Sequence, residues 1–226
     1  MIASYKLPCI LDLKMGTQLW FESDSEDKKR GHEEKSRRTT SASMGIRLQG
    51  LQLYSQSKNA WSYKDKYHGR DFDSQKLADT VKKFIREAPR NIRRNIAHVI
   101  RIKLIELRFV SSVFHFNGSK QIFRRIIEGL TGYRFYGTSL LVIYDSSAIE
   151  QLGSLMRCDV TDVLLFSRLV DIKMIDFAKS TSPGFMSDSQ YWGPDAGYLL
   201  GLNSLIDIVD QSISSLEQQD TPVFTE

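Results

Sequence analysis

The chain has 226 residues, of which 41% are hydrophobic and 26% are charged. It is long enough to bury a core, as one domain or as two tightly joined lobes. It has no run of 18 apolar residues, and its amino terminus lacks the apolar core and cleavage site of a signal peptide. The two cysteines, Cys9 and Cys158, have no metal-site spacing. Free thiols in a reducing compartment are therefore expected, and with them a cytoplasmic or nuclear location.

The net charge of +4 conceals an uneven distribution. Residues 1–144 hold 27 Lys and Arg against 14 Asp and Glu, whereas residues 145–226 hold 4 against 13. A basic first part of this size indicates a polyanionic partner, which is a nucleic acid, an anionic lipid or a phosphorylated small molecule. Charge does not choose among the three.

Strand patterns dominate the first 70 residues. Residues 7–15 alternate, so that Asp12 and Lys14 share one face of a strand with Ile10, and Gly16 ends the run. Residues 22–43 are polar and lack periodicity, which favours a loop or a short helix. Three more strands are predicted, the first two flanking a turn at Gln49-Gly50: Met44–Leu48, Leu51–Gln56 and Trp61–Tyr67.

Helical patterns follow, with two apolar strands between them. An amphipathic helix over 74–88 has Ser74 as its N-cap, and Pro89 opens a second helix with Ile92 and Ile96 facing inward. Asp195 is the N-cap of the last helix. The remaining predicted elements are a short helix near 120–130, strands over Tyr133–Tyr144 and Leu169–Phe177 with a mixed segment containing Asp159 and Asp162 between them, and a final helix over 196–216. The fold class is α+β.

The first candidate for chemistry is Asp12 with Lys14. Their spacing on one strand face places a base and a cation in the same space, where they can deprotonate a hydroxyl and hold an adjacent phosphate. An isolated Asp-x-Lys pair is most commonly a surface ion pair on an edge strand. The surrounding pattern P-x-x-x-D-x-K-x-G, formed here by Pro8, Asp12, Lys14 and Gly16, is much more specific.

Two later segments add further candidates. Ser139-Leu140-Leu141 opens a buried strand with a polar residue. Ile175-Asp176-Phe177 places an Asp at the end of an apolar strand, which is how protein kinases position a metal ligand. Most such triplets are strand-ending turns, so the order of the three motifs carries the inference.

In this order the three motifs resemble the inositol polyphosphate kinase family. Other segments are similar to its hexakisphosphate kinase branch: Gly45-Ile46-Arg47, Lys66-Tyr67-His68-Gly69-Arg70, the strand Tyr133–Asp145, and residues 195–202. The resemblance implies the carboxy-terminal lobe of a fold similar to protein kinases and SAICAR synthase, with an antiparallel sheet and flanking helices. It implies one kinase domain over 1–226, with 17–70 as the substrate-binding segment, and transfer of a phosphoryl group from ATP to inositol hexakisphosphate.

The resemblance also assigns roles to residues. Asp12 and Lys14 are the expected catalytic pair, and Ser139 and Asp176 are expected to bind Mg²⁺ and nucleotide. The substrate, a small ring with dense negative charge, needs a cluster of cations. The main candidates for this cluster are Lys14, Arg47, Lys66, His68 and Arg70. A second group comes from a run that is more commonly a solvated loop: Lys28, Lys29, Lys35, Arg37 and Arg38.

One feature departs from the family pattern. Only seven residues precede Pro8, whereas family members carry an amino-terminal lobe there that contributes to the ATP site. Tyr5-Lys6-Leu7 resembles the end of the hinge that joins the lobes. Weak or absent kinase activity is therefore expected for this chain alone. A monomer without a membrane span is expected.

Two other functions compete with a kinase. The first is a regulatory protein of the same lineage that binds inositol phosphate without turnover. The second is a basic nucleic-acid binder, but the sequence has no zinc-finger spacing and no RNA-recognition motif. Neither nucleic acid nor a membrane is the expected partner.

Overall fold

The computed structural model describes residues 5–108, 113–116, 119–122, 127–147, 169–184 and 191–220. Its helices are α1 (Glu26–Arg37), α2 (Thr40–Met44), α3 (Lys66–Arg70), α4 (Ser74–Arg86), α5 (Arg93–Arg108) and α6 (Ala196–Asp220). The strands are β1 (Pro8–Met15), β2 (Ile46–Ser55), β3 (Ala60–Lys64), β4 (Val113–Phe116), β5 (Ser119–Ile122), β6 (Arg134–Phe135), β7 (Ser139–Asp145), β8 (Val170–Ile175) and β9 (Ser180–Thr181). Within this part of the chain, no helix is long and apolar enough to span a membrane.

An antiparallel sheet of five strands organises the molecule, in the order β3-β2-β1-β7-β8. Helices α4, α5 and α6 cover one face of this sheet. Alternate residues of β1 are fully buried on that face, Leu11 and Leu13 among them, and they pack with Leu140 and Val142 of β7. We call this the core face and the opposite side the outer face. The predicted α+β class is confirmed.

Strand β2 contains a bulge, and the alternation of its side chains between the two faces of the sheet shifts by one residue there. Asp12 pairs with Gly50, but the next residue, Leu13, pairs with Leu48, so Gln49 is an extra residue in β2. An inserted residue changes which side chains point to each face, because side chains alternate along a strand. Leu48 therefore lies on the core face together with Leu51. The prediction of two strands joined by a turn at Gln49-Gly50 was wrong: β2 runs through this dipeptide.

Close backbone contacts fix α6 against the sheet. A Cβ atom at Gly201 would collide with the carbonyl oxygen of Gly45, which ends α2 at φ +65°. Asp195 begins the helix as predicted, because its side chain accepts a hydrogen bond from the Tyr198 N–H at 2.9 Å. The inward positions Leu202 and Leu205 are fully buried.

Several predicted boundaries move for local reasons. Strand β3 ends at Lys64, before the predicted Tyr67, because the Asp65 side chain caps α3. Helix α4 is capped by Asp73, not by Ser74, and the residues after Pro89 form a turn before α5 begins. A turn at Gly137, with φ +64°, separates β6 from β7 within the single strand predicted over Tyr133–Tyr144.

Three more expectations concern the segments between the main predicted elements. Residues 22–43, predicted as a loop or short helix, contain α1 and α2. The helix expected near 120–130 was wrong where the chain is described, since residues 119–122 form β5. The mixed segment with Asp159 and Asp162 lies outside the described residues.

Candidate functional site

Three neighbouring strands bring the motif residues together on the outer face. Lys14 of β1 pairs with Ser139 of β7, which in turn pairs with Ile175 of β8. Directly paired residues project to the same side of an antiparallel sheet, so Lys14 and Ser139 are neighbours. Asp12 lies two residues earlier on the same strand and therefore on the same face. The pairing thus brings the three sequence motifs to one place.

Asp12 lies in an unusual environment for a carboxylate. Its Oδ1 is buried and accepts no hydrogen bond within the described residues, and the same is true of the fully buried Ser139 hydroxyl. Burial raises the pKa of Asp12, while the Ser139 hydroxyl and the Lys14 charge act in the opposite direction. A carboxylate that is poorly solvated is a stronger base than one in water.

Asp176 completes this group from the end of β8. It has φ +65°, a left-handed conformation that few residues other than glycine adopt, and it begins the 3₁₀ turn Phe177–Lys179. This conformation directs its carboxylate back toward β1, where Oδ2 lies 3.2 Å from Lys14 Nζ. The Asp176 side chain is 59% exposed, so one carboxylate oxygen remains open to a ligand.

Beside this group lies a set of basic side chains that we call the basic cluster: His32, Lys35, Arg47, Lys66, Arg70 and Lys179. Arg47 is on the outer face, paired with Lys14, because of the bulge at Gln49. Arg70 comes from α3, which packs tightly on β2: a Cβ atom at Gly69 would collide with the Leu48 carbonyl oxygen. Backbone contacts thus fix the positions from which both side chains extend, and the Arg70 guanidinium group lies over the Tyr67 ring.

Two members of the cluster, Arg47 and Arg70, have no acidic partner among the described residues. Arg47 is 5% exposed, yet its Nε and Nη1 have no hydrogen-bond partner within the described residues, and Arg70 Nε is in the same condition. Burial lowers the pKa of Arg47, and the Arg70 charge lowers it further. Burial together with the charges of Arg70, Arg47, Lys66 and Lys179 likewise lowers the pKa of Lys35. Unpaired cations at this density leave a strong, unsatisfied attraction for an anion.

Helix α1 separates the charged residues of the 28–38 run into two sets. Lys28, Arg37 and Arg38 face solvent, and Arg38 pairs with Glu34. Lys29 is partly covered, lying over the Trp20 ring and 2.8 Å from Glu26. Lys35 turns toward the basic cluster, as does His32 three residues earlier. Sequence reasoning missed His32, although its spacing from Lys35 places both on one helix face.

Polar contacts hold α1 over the cluster. The Ser36 hydroxyl donates to the Thr17 carbonyl at 2.6 Å, and Lys179 forms an ion pair with Asp24 at 3.2 Å just before the helix. His68, which was predicted to bind the substrate, instead contacts an acidic residue at the start of α3. Its Nδ1 lies 2.8 Å from Asp65 Oδ1, and the imidazole is 58% exposed.

The segment before β1 is also fixed. The buried Asp145 carboxylate accepts hydrogen bonds from the N–H groups of Lys6 and Leu7 and from the N–H and hydroxyl of Ser147. Burial alone would raise the pKa of Asp145, but these bonds hold it below its usual value. The Tyr5 hydroxyl donates to Asp171 at 3.2 Å. Residues 5–7 are thus held against the carboxy-terminal end of β7.

Cations arranged around a lysine–carboxylate group are typical of proteins that bind compact, multiply charged anions. Two solved structures share the fold. An inositol phosphate multikinase from S. cerevisiae, solved with ADP and Mn²⁺, matches with a TM-score of 0.66 and 20% identity over 93% of this chain and 80% of that chain. A second inositol phosphate multikinase gives a TM-score of 0.57 and 18% identity over 93% and 82%.

The family model for inositol polyphosphate kinase matches residues 1–210, and the chain belongs to this family. Inositol hexakisphosphate kinase 3 of Mus musculus is 34% identical over 211 residues, covering 92% of this chain and 48% of the relative. Inositol hexakisphosphate kinase 2 of Rattus norvegicus is 34% identical over 224 residues, covering 92% and 49%. The chain therefore spans about half the length of the curated relatives it matches.

Proposed function

We propose that this chain binds inositol hexakisphosphate and takes part in the transfer of the γ-phosphate of ATP to it, which gives a diphosphoinositol product. The observation that carries this proposal is the basic cluster next to Asp12 and Lys14. A ring with six phosphate groups would give the unpaired guanidinium groups of Arg47 and Arg70 the anionic partners that they lack. The relatives named as hexakisphosphate kinases favour this substrate within the family.

The outer face suits a phosphoryl transfer in which the protein mainly positions the reactants. In the proposed mechanism, Asp12 orients the accepting oxygen of the substrate, and any proton on that oxygen passes to the Asp12 carboxylate. The Lys14 ammonium group forms an ion pair with Asp176 on the outer face. From this position it can contact the phosphoryl oxygens, which carry most of the negative charge during transfer.

The donors at the end of β8 fit Mg²⁺, a hard cation that prefers oxygen ligands and retains several waters. Asp176 supplies an exposed carboxylate, and the Ser139 hydroxyl lies one strand away. Among the described residues, no group of three or more His, Cys, Asp or Glu gathers into a metal site. We therefore propose Asp176 and Ser139 as the protein ligands, with nucleotide phosphates as the others. A bound Mg²⁺ would neutralise charge on the transferred phosphoryl group.

Two measurements on the full 226-residue chain test the proposal. Calorimetry should detect binding of inositol hexakisphosphate, and incubation with radiolabelled ATP and Mg²⁺ should give a labelled diphosphoinositol at a low rate, in line with the weak activity expected from the sequence. Tight binding without any product would favour a regulatory protein of the same family. If duplex DNA binds with a steep salt dependence and inositol hexakisphosphate does not displace it, the proposed substrate is wrong.

A substitution at Arg47 separates binding from folding. In Arg47→Met, we expect the affinity for inositol hexakisphosphate to fall about 10- to 100-fold, since each hydrogen bond to a charged group contributes about 1.5–3 kcal/mol. The melting temperature should rise, because the variant no longer buries an unpaired charge.

The matched control is Arg101→Met, on α5. Arg101 is half-exposed and paired with Asp210 of α6, away from the outer face. This change should leave ligand affinity unaltered and slightly lower the melting temperature. If Arg47→Met binds as tightly as the unmodified chain, the cluster is not the substrate site.

A further inference from the structure

His32 differs from the other members of the basic cluster because its charge can change near neutral pH. Its Nδ1 is buried, and neither ring nitrogen makes a hydrogen bond within the described residues. It extends from the inner face of α1, beside Lys35 and over the outer face of the sheet. The imidazole is therefore an unused donor and acceptor in a strongly positive place.

The charged groups near His32 come from α1, from β2 and from the segments before α1 and after β8. Lys35 lies on its own helix, Lys179 on the 3₁₀ turn after β8, and Arg47 on β2. Asp24, in the loop before α1, is the one acid among these neighbours, and it is already engaged by Lys179 and by the Phe21 N–H.

These surroundings favour the neutral imidazole in the free protein. Burial lowers the pKa of His32, and the charges of Lys179, Lys35 and Arg47 lower it further, while Asp24 opposes them. A phosphate group placed among the same cations would reverse the balance, because a neighbouring negative charge favours the protonated ring. The free and the occupied cluster would therefore favour different protonation states of His32.

We propose that His32 takes up a proton from the solvent when a polyphosphate binds to the basic cluster, and so becomes an additional cationic ligand of that polyphosphate. This inference rests on the proposed function, since it uses the same site. By linkage, a ligand that raises the affinity of His32 for a proton binds more tightly when protons are abundant. The contribution of His32 to binding is therefore largest at low pH and disappears at high pH.

The test compares three forms of the full chain by calorimetry with inositol hexakisphosphate, between pH 6 and pH 8.5. The phosphates of the ligand also titrate in this range, so the informative quantity is the ratio of dissociation constants between His32→Gln and the unmodified chain. We expect this ratio to rise from about one at pH 8.5 to on the order of tenfold at pH 6, the size of one charged hydrogen bond. His32→Lys, which keeps its charge throughout, should remove the dependence on pH that His32 adds.

The number of protons taken up on ligand binding is a second measurement. It would not change if His32 had a purely structural role. Titrations at one pH in buffers with different ionisation enthalpies give the number of protons taken up with the ligand. The unmodified chain should take up more than His32→Gln, by a fraction of one proton. His98→Gln is the matched control, since His98 lies on α5 beside Glu217 of α6 and outside the basic cluster. It should behave like the unmodified chain.

The outcomes distinguish this inference from the proposed function. If the ligand binds, but His32→Gln shows the same pH dependence and proton uptake as the unmodified chain, His32 is not the coupled group and the proposed substrate site stands. If no form binds inositol hexakisphosphate at any pH, the proposed function fails, and the inference fails with it.

Discussion

In Asp12→Asn, phosphoryl transfer to inositol hexakisphosphate should fall by about 10²- to 10⁴-fold, the usual size of a lost general base or positioning group. The substitution preserves the shape of the side chain and removes its charge. Asp12 lies beside Lys14 on the outer face, and burial raises its pKa. Both features suit a group that orients and deprotonates an acceptor. A radiolabel transfer assay measures the loss.

The affinity of the same variant for inositol hexakisphosphate should not fall. Because the ligand is an anion and Asp12 is a neighbouring carboxylate, Asp12→Asn should leave the affinity for inositol hexakisphosphate unchanged or raise it. Asp210→Asn makes the same chemical change on α6, where Asp210 pairs with Arg101, and should affect neither quantity. If Asp12→Asn transfers phosphate at the rate of the unmodified chain, Asp12 is not a catalytic residue.

The raised pKa of Asp12 also predicts how the stability of the fold depends on pH. Its folded-state pKa lies above its ordinary value of 3.8, so folding favours the protonated form of this group. As the pH rises from the unfolded-state pKa of Asp12 to its higher folded-state pKa, Asp12 ionises first in the unfolded chain. The folded state therefore loses stability relative to the unfolded chain. Asp12→Asn should therefore be the more stable protein at neutral pH. Its advantage, measured by urea denaturation, should disappear when the pH falls below 3.8.

The strand that carries Asp12 and Lys14 was predictable because its alternation is regular. Residues 8–15 bury every second side chain on the core face, so the pattern alone places Asp12 and Lys14 together on the other face. The partner strand was not predictable in the same way. Its buried residues change from even to odd positions across Gln49-Gly50, a signal that fits both a turn and a bulge. Only pairing with β1 decides between them.

That bulge explains why Arg47 was named from family resemblance and not from pattern. Without the extra residue, Leu48 would pair with Lys14 and Arg47 would lie on the core face. Its burial is a tertiary effect as well, because α3 packs against β2 through Gly69. Neither contact appears as a periodicity in the sequence.

Helix α1 was harder to predict for a different reason. It has no apolar face, and polar contacts such as that of Ser36 with Thr17 hold it in place. Hydrophobic periodicity, the main signal for a helix, is therefore missing. The inward orientation of His32 and Lys35 follows from these long-range contacts, whereas the sequence favoured a solvated loop for this run, which instead forms most of α1.

Asp176→Asn should reduce phosphoryl transfer by on the order of 10³-fold or more, because it removes the charged oxygen ligand that we propose for Mg²⁺ and a site of charge stabilisation. Asparagine keeps the shape of the side chain, and it is among the few residues that tolerate the left-handed conformation observed at this position. The fold should therefore survive, as a melting curve can verify. The Mg²⁺ dependence of ATP affinity should weaken in parallel with turnover.

The partner of Asp176 makes this prediction specific. Lys14 is held 3.2 Å from the Asp176 carboxylate, and in Asp176→Asn it is released to the substrate. The affinity for inositol hexakisphosphate should consequently stay constant or increase while transfer is lost. Asp176→Ala should lose transfer equally, but with lower stability, because alanine is strained at φ +65° by about 1 kcal/mol. Transfer that persists in both variants would exclude Asp176 as a metal ligand, and a matching loss of substrate affinity would instead indicate that the site as a whole is disturbed.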